Sequence, residues 1–242
     1  MAESARDWSV HPAFIAPPYK SSVARGPTRS PIRIPPGAGE STGPVFGSAE
    51  VGPLDADLTR NAIRNGEPLG ERIIVSGRVT DEDGAPRPDT LIEIWQCNAA
   101  GRYVHRGDDH PAPLDPNFLG AGRTATDTEG RYRFLTIKPA AYPWGNHENA
   151  WRPAHIHFSL FGPCVVSRLV TQMYFPGDPL LELDPIYMTV PAKSRQRLVA
   201  SFSIEVTEPG HALGYVFDIV LRSATGNGRT TTPSAPPRGT AR

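Results

Sequence analysis

Cysteine is nearly missing: Cys97 and Cys164 are the only two in 242 residues. That is too few for a disulfide framework or a thiolate metal cage. Both lie in or beside apolar runs, where buried, inert thiols are expected. Neither sign of charge is in excess, with 25 Lys and Arg against 25 Asp and Glu. The chain therefore lacks the basic surplus with which proteins grip nucleic-acid phosphates. No apolar run approaches the roughly 18 residues that cross a bilayer. The opening MAESARDWSV has neither the basic nor the apolar region of a secretory signal. A cytoplasmic chain without nucleic-acid or membrane partners is the expectation.

Proline and glycine are abundant. With 27 Pro and 23 Gly they make up about a fifth of the chain, against about 12% in average proteins. Such punctuation breaks long helices and favours short strands joined by structured turns. Residues 1–50 read as an extended N-terminal arm: positions 12–44 are rich in Pro, Gly, Ser and Arg and show no sustained periodicity. Disorder is one reading of such a segment. Trp8, Phe14, Ile15 and Tyr19 supply anchors for the other, an arm laid against a partner or a cleft wall. Residues 54–65 suggest one short helix, with Asp55 or Asp57 near its positive end.

Strand-like segments follow at 72–79, 90–97, 132–135, 154–161, 168–175, 201–206 and 214–221. Seven short strands with turn chemistry between them predict an all-β fold, an antiparallel β-sandwich spanning residues 51–222. The long connection from 98 to 131 interrupts the series, and long ordered connections tend to carry function. Residues 223–242, mostly Gly, Ala, Ser, Thr, Pro and Arg, are expected to form a disordered tail.

The sharpest chemical feature is His155-Ile-His157 within an apolar run. Alternate residues of a strand share a face, so both imidazoles could reach one metal. Two histidines on a solvated sheet face would give the same pattern. A 2-His-1-carboxylate iron site commonly reads H-x-D or H-x-E, but here the second position is His157 and no carboxylate lies between 158 and 163. Tyr103, in the long connection, and Tyr142, just before the histidine strand, remain as donors. A phenolate is a hard anionic ligand suited to Fe(III), and a trivalent cation would hold it ionised despite a free pKa of about 10. Each tyrosine also reads as an ordinary core or rim aromatic. Arg152 reads either as a stabiliser of negative charge or as half of a structural ion pair.

Several motifs occur together and in order: GERIIVSGRV (70–79), IWQCNAAGRYVHR (94–106), APLDPNFLGAGRTATDTEGRYRF (112–134), IKPAAYPWGN (137–146), NAWRPAHIHFSLFGP (149–163) and TQMYFPGDP (171–179). With them the chain resembles the intradiol ring-cleaving dioxygenases over about residues 8–222. The resemblance implies a non-haem Fe(III) bound by Tyr103, Tyr142, His155 and His157. It implies catalytic roles for Tyr142, as the ligand that leaves and takes a substrate proton, and for Arg152. Tyr19, Arg25, Trp95, Trp144, Gln172 and Ile186 match substrate-pocket positions, although Trp95 and Ile186 also suit plain core packing. Catechol and hydroxyquinol enzymes of the family carry a helical N-terminal region where this chain has a Pro-rich arm. The branch implied instead opens 3,4-dihydroxybenzoate with O2 between its hydroxyl-bearing carbons. It works as a hetero-oligomer with a homologous α subunit, on which the arm packs and which largely recognises the substrate carboxylate.

Overall fold

β-Branched residues build the strand at the centre of the first sheet. The computed structural model describes residues 8–29, 46–162 and 168–221, and in it Arg72–Asp81 forms β1. Ile73, Ile74 and Val75 of β1 are wholly buried, so the strand is covered on both faces. One edge pairs antiparallel with Arg131–Ile137 (β4). The other pairs in parallel, first with Leu213–Val216 (β10) and then with Ile219–Leu221 (β11). The exchange happens at Gly77, where the Phe217 carbonyl fills the space a Cβ would need and the Phe217 N–H donates to Ser76 O at 2.8 Å. A side chain at position 77 would push the two segments apart. Ser201–Phe202 (β9) pairs with β10 to complete this five-stranded sheet.

The second sheet is antiparallel throughout. It runs in the order Ala121–Ala125 (β3), Leu91–Trp95 (β2), His155–Phe161 (β7), Leu169–Tyr174 (β8). Period-two alternation decides what each face of β7 does. Ile156, Phe158 and Leu160 are fully buried between the sheets, where the Phe158 ring lies 5.9 Å from Phe134 and 5.3 Å from Phe217 of the first sheet. Burying Phe158 contributes roughly 2–3 kcal/mol, and it also fixes register, since a one-residue slip would drive the histidines into the core. His155 and His157 consequently face outward from the sandwich, under a roof of loops. Part of that roof is a two-stranded ribbon, Tyr142–Pro143 (β5) against Trp151–Arg152 (β6). The helices are short: Lys20–Arg25 (α1), Pro185–Thr189 (α2) and Ala192–Arg195 (α3). Among the described residues no helix is long and apolar enough to cross a membrane.

The sandwich agrees with expectation, and four details differ. Residues 54–65 form turns rather than a helix. Asp57 accepts from the Thr59 N–H and hydroxyl, and the Leu58 N–H goes to Leu135 O of β4, so local side-chain bonds and the sheet outcompete the helical ladder. The strand expected at 214–221 is two, divided at Phe217, and the one at 201–206 keeps only its first two residues. The 98–131 connection contains β3. Cys97 is buried as expected, whereas Cys164 and the tail at 223–242 lie outside the described residues.

Candidate metal centre

The register of the second sheet lines up the floor of the site. Trp95 of β2, His157 of β7 and Gln172 of β8 are cross-strand neighbours in one row, and His155 faces Tyr174 in the next. The Trp95 indole stacks on the His157 ring at 4.8 Å with planes only 5° apart, which fixes the imidazole plane. His155 is 1% exposed, and its Nδ1 lies 2.7 Å from the Pro153 carbonyl. A carbonyl only accepts, so Nδ1 carries the hydrogen and Nε2 keeps its lone pair.

Two tyrosines reach this floor from above. Tyr142 is the cross-strand partner of Arg152 in the β5–β6 ribbon, and its Oη sits 3.5 Å from His155 Nε2. Tyr103 hangs from the long connection. There the Asn98 side chain accepts from the Ala100 and Arg102 N–H groups and donates to Pro113 O, while Asp108 accepts from the Tyr103 N–H. Gly101 (φ 79°) lets the two supports meet: a Cβ there would lie 2.6 Å from Ala141 O and 3.2 Å from Tyr142 Cβ. The tyrosine rings meet edge to face at 5.3 Å, and Tyr103 Oη is 3.2 Å from His157 Nε2.

The donor set suits a hard cation. Adjacent ligands on metal bonds of about 2.1 Å stand roughly 3 Å apart, close to the 3.2 and 3.5 Å between these oxygens and nitrogens. No group of three or more His, Cys, Asp or Glu that could hold a metal occurs among the described residues; the oxygens nearest the two imidazoles are those of the two phenols. Burial holds both histidines neutral, with the Arg152 charge adding to the effect: His155 is well below the usual range and His157 is pushed down to about 3. Burial also raises both phenols, Tyr103 further because Tyr142 lies beside it, whereas Arg152 partly offsets the rise at Tyr142. Without a cation these are four neutral groups around one point.

Arg152 is 3% exposed and forms the buried ion pair that was one of its two readings. Its Nη2 is anchored to Gln172 Oε1 (2.7 Å), Tyr174 Oη (3.1 Å) and Asp184 Oδ2 (2.8 Å). Its Nη1 points at His155 Nε2 from 3.1 Å, and its Nε has no partner among the described residues. Trp144 covers the guanidinium at 5.6 Å and leaves its own buried Nε1 unpaired. Buried donors without acceptors are costly, and these two belong to the same Arg152–Trp144 contact.

The arm closes one side. Tyr19 packs on Trp144 at 5.7 Å, and Arg25, exposed on α1, donates to Tyr19 Oη. Ile186 lies on α2, half-buried, two residues beyond Asp184. The structure thus draws together Tyr103, Tyr142, His155, His157, Arg152, Trp95, Trp144, Gln172 and Tyr19, with Arg25 reached through Tyr19 and Ile186 through the Asp184 cap. Three contributors escaped the sequence reading. Tyr174 was legible, standing two residues beyond Gln172 and hence on the same strand face. Asp184 carried a weaker signal, an Asp before Pro at a helix start. Asn146 had none: its amide accepts from the Lys20 N–H and donates to Pro18 O, latching the arm beside Tyr19.

A family model described as "Dioxygenase" matches residues 41–223, and one described as "Protocatechuate 3,4-dioxygenase beta subunit N terminal" matches residues 4–37. The protocatechuate 3,4-dioxygenase beta chain of Burkholderia cepacia is 65% identical over 228 residues, covering 94% of this chain and 95% of that one. The alpha chain from the same organism is 29% identical over 156 residues, 63% of this chain and 73% of its own. Among solved structures, 3-chlorocatechol 1,2-dioxygenase of Rhodococcus opacus 1CP superposes with a TM-score of 0.55 at 27% identity, covering 72% of this chain and 66% of that one. With the sandwich, the motifs and these matches in agreement, the chain belongs to the intradiol dioxygenase family.

Proposed function

We propose that this chain is the iron-bearing β subunit of an enzyme that cleaves protocatechuate with O2 between its two hydroxyl-bearing carbons, giving 3-carboxy-cis,cis-muconate. The observation that carries the reading is the convergence of two neutral imidazoles and two phenols beside a buried arginine, in a chain 65% identical to a protocatechuate 3,4-dioxygenase beta chain. Tyr103, Tyr142, His155 and His157 would hold Fe(III). Bound there, the ion would supply Lewis acidity that favours ionisation of a catechol hydroxyl.

The chain's own groups do the rest. Tyr142, ionised only while it holds the ion, would accept at Oη the proton of an incoming catechol hydroxyl. Arg152 Nη1, always charged and unable to act as a proton source, stabilises negative charge that develops on the ring. Trp144 and Tyr19 wall the ring, Ile186 bounds it from α2, and Gln172 orients Arg152. Trp95 holds the His157 plane.

A β-chain relative and an alpha-chain homologue support an α–β assembly. In it residues 1–50 pack on the α chain. Phe14 and Ile15 are 52% and 40% exposed here and would be covered there. Arg25, bonded to Tyr19, is the residue of this chain that would meet the substrate carboxylate. Residues 51–222 form the catalytic domain, followed by the tail.

Co-production with an α chain should give a rust-red protein that consumes O2 with protocatechuate and accumulates the carboxymuconate. The β chain alone should bind the diol weakly. Colourless, iron-free protein from the co-producing strain would refute the metal assignment. A fully active β-only species would refute the partner.

A further inference from the structure

Asp184 is 0% exposed, and its two oxygens serve different elements. Oδ2 accepts from Arg152 Nη2 at 2.8 Å and has the Tyr174 hydroxyl 3.2 Å away. Oδ1 accepts from the Ile186 N–H at 3.1 Å and so caps α2, where Pro185 occupies the first helical turn. The one hydrogen of the Tyr174 hydroxyl goes to the nearer acceptor, Gln172 Oε1 at 2.7 Å, tying together two of the three acceptors of Nη2. All the anchoring therefore falls on Nη2, and Nη1 is left pointing at the donor cluster. A guanidinium is rigid and planar, so fixing one end aims the other.

We infer that Asp184 is a positioning residue which, with Tyr174, aims Arg152 Nη1 at the reacting ring and ties that aim to the helix carrying Ile186. The inference rests on the function proposed above but concerns Asp184 and Tyr174, which are not among the four proposed iron donors. A carboxylate is needed because two donors approach it, the Arg152 guanidinium and the Ile186 N–H. An amide offers one oxygen, and its NH2 would face one of these donors. With Arg152 and Asp184 4% and 0% exposed, the pair has almost no solvent to screen or replace it.

The test is a double-mutant cycle on the co-produced α–β enzyme. Asp184→Asn should retain iron and its resting visible spectrum, because the four donors are untouched. Its kcat should fall at least about tenfold with KM changed by less than about threefold, as expected when a charge-stabilising donor is misaimed. Arg152→Lys alone should lose as much, and adding Asp184→Asn to it should cost no more than about twofold further. A merely structural aspartate would multiply the losses. Melting of the metal-free protein provides a readout apart from turnover: Asp184→Asn should lower the midpoint by roughly 10 °C, as for breaking a buried pair. Tyr174→Phe should lower it by only a few degrees. Should Asp184→Asn fail to fold, Tyr174→Phe enters the same cycle with Arg152→Lys and must again be non-additive. Wild-type kcat in a folded Asp184→Asn, or multiplicative losses, would overturn the inference. An iron-free, inactive wild type would instead overturn the function on which it rests.

Discussion

His157 and His155 illustrate what burial does to a titrating side chain before any ligand arrives. His157 is pushed down to about 3 and His155 well below its usual range, by burial first and by the Arg152 charge second. In the unfolded chain both would titrate near about 6.5. As pH falls below that value the unfolded state takes up protons that the folded state refuses, so stability is lost on acidification. For His157 the loss continues down to about pH 3. At full slope each histidine removes about 1.4 kcal/mol per pH unit. Denaturant unfolding of the metal-free protein at pH 7, 6 and 5 should show this decline, and His157→Asn should make it shallower by about one histidine's share. An unchanged slope in that variant would mean the imidazole is solvated after all. The same environment makes the site receptive, because a neutral imidazole with its other nitrogen already hydrogen-bonded, as His155 is, presents a fixed lone pair.

At the scale of elements, the site is a sheet face roofed by pieces that the sheet does not own. The face itself was legible in the sequence: alternation put His155 and His157 together on one side of the strand, opposite Ile156. The roof was legible only through motif resemblance, because Tyr103, Tyr142 and Tyr19 come from a loop, a ribbon and an arm with no periodicity to place them. What escaped entirely were bonds between segments distant in sequence, the Asn146 latch on Pro18 and Lys20 above all. The turns at 54–65 were misread as a helix because their bonds end on Leu135, which no local pattern reveals. The latch makes a separable prediction. Each of its two hydrogen bonds is worth about 1 kcal/mol, so Asn146→Ala should loosen the arm, raise KM severalfold and speed proteolysis near residues 17–25. Iron content should stay at the wild-type level, since no donor is touched. If KM and cleavage rate both stay at wild-type values, Tyr19 is held by something other than this amide.

Across the whole molecule, β1 is placed early in the chain yet finishes pairing last. It meets β4 within a few dozen residues of synthesis, but its other edge waits for β10 and β11, and the Arg78 N–H closes onto Asp218 from 140 residues away. At about 5–20 residues per second a ribosome needs on the order of ten seconds to supply that partner. Throughout that interval β1 carries an open edge, with the apolar Ile73, Ile74 and Val75 along it, and open edges invite pairing with other chains. Nascent chains arrested before residue 213 should therefore stay protease-sensitive at β1, and chains released with β11 exposed should become resistant. Protection at β1 in the shorter chains would show that β4 suffices. The parallel pairing of β1 with β10 and β11 thus acts as a clock: this polypeptide can close its first sheet only once residues 213–221 have been made.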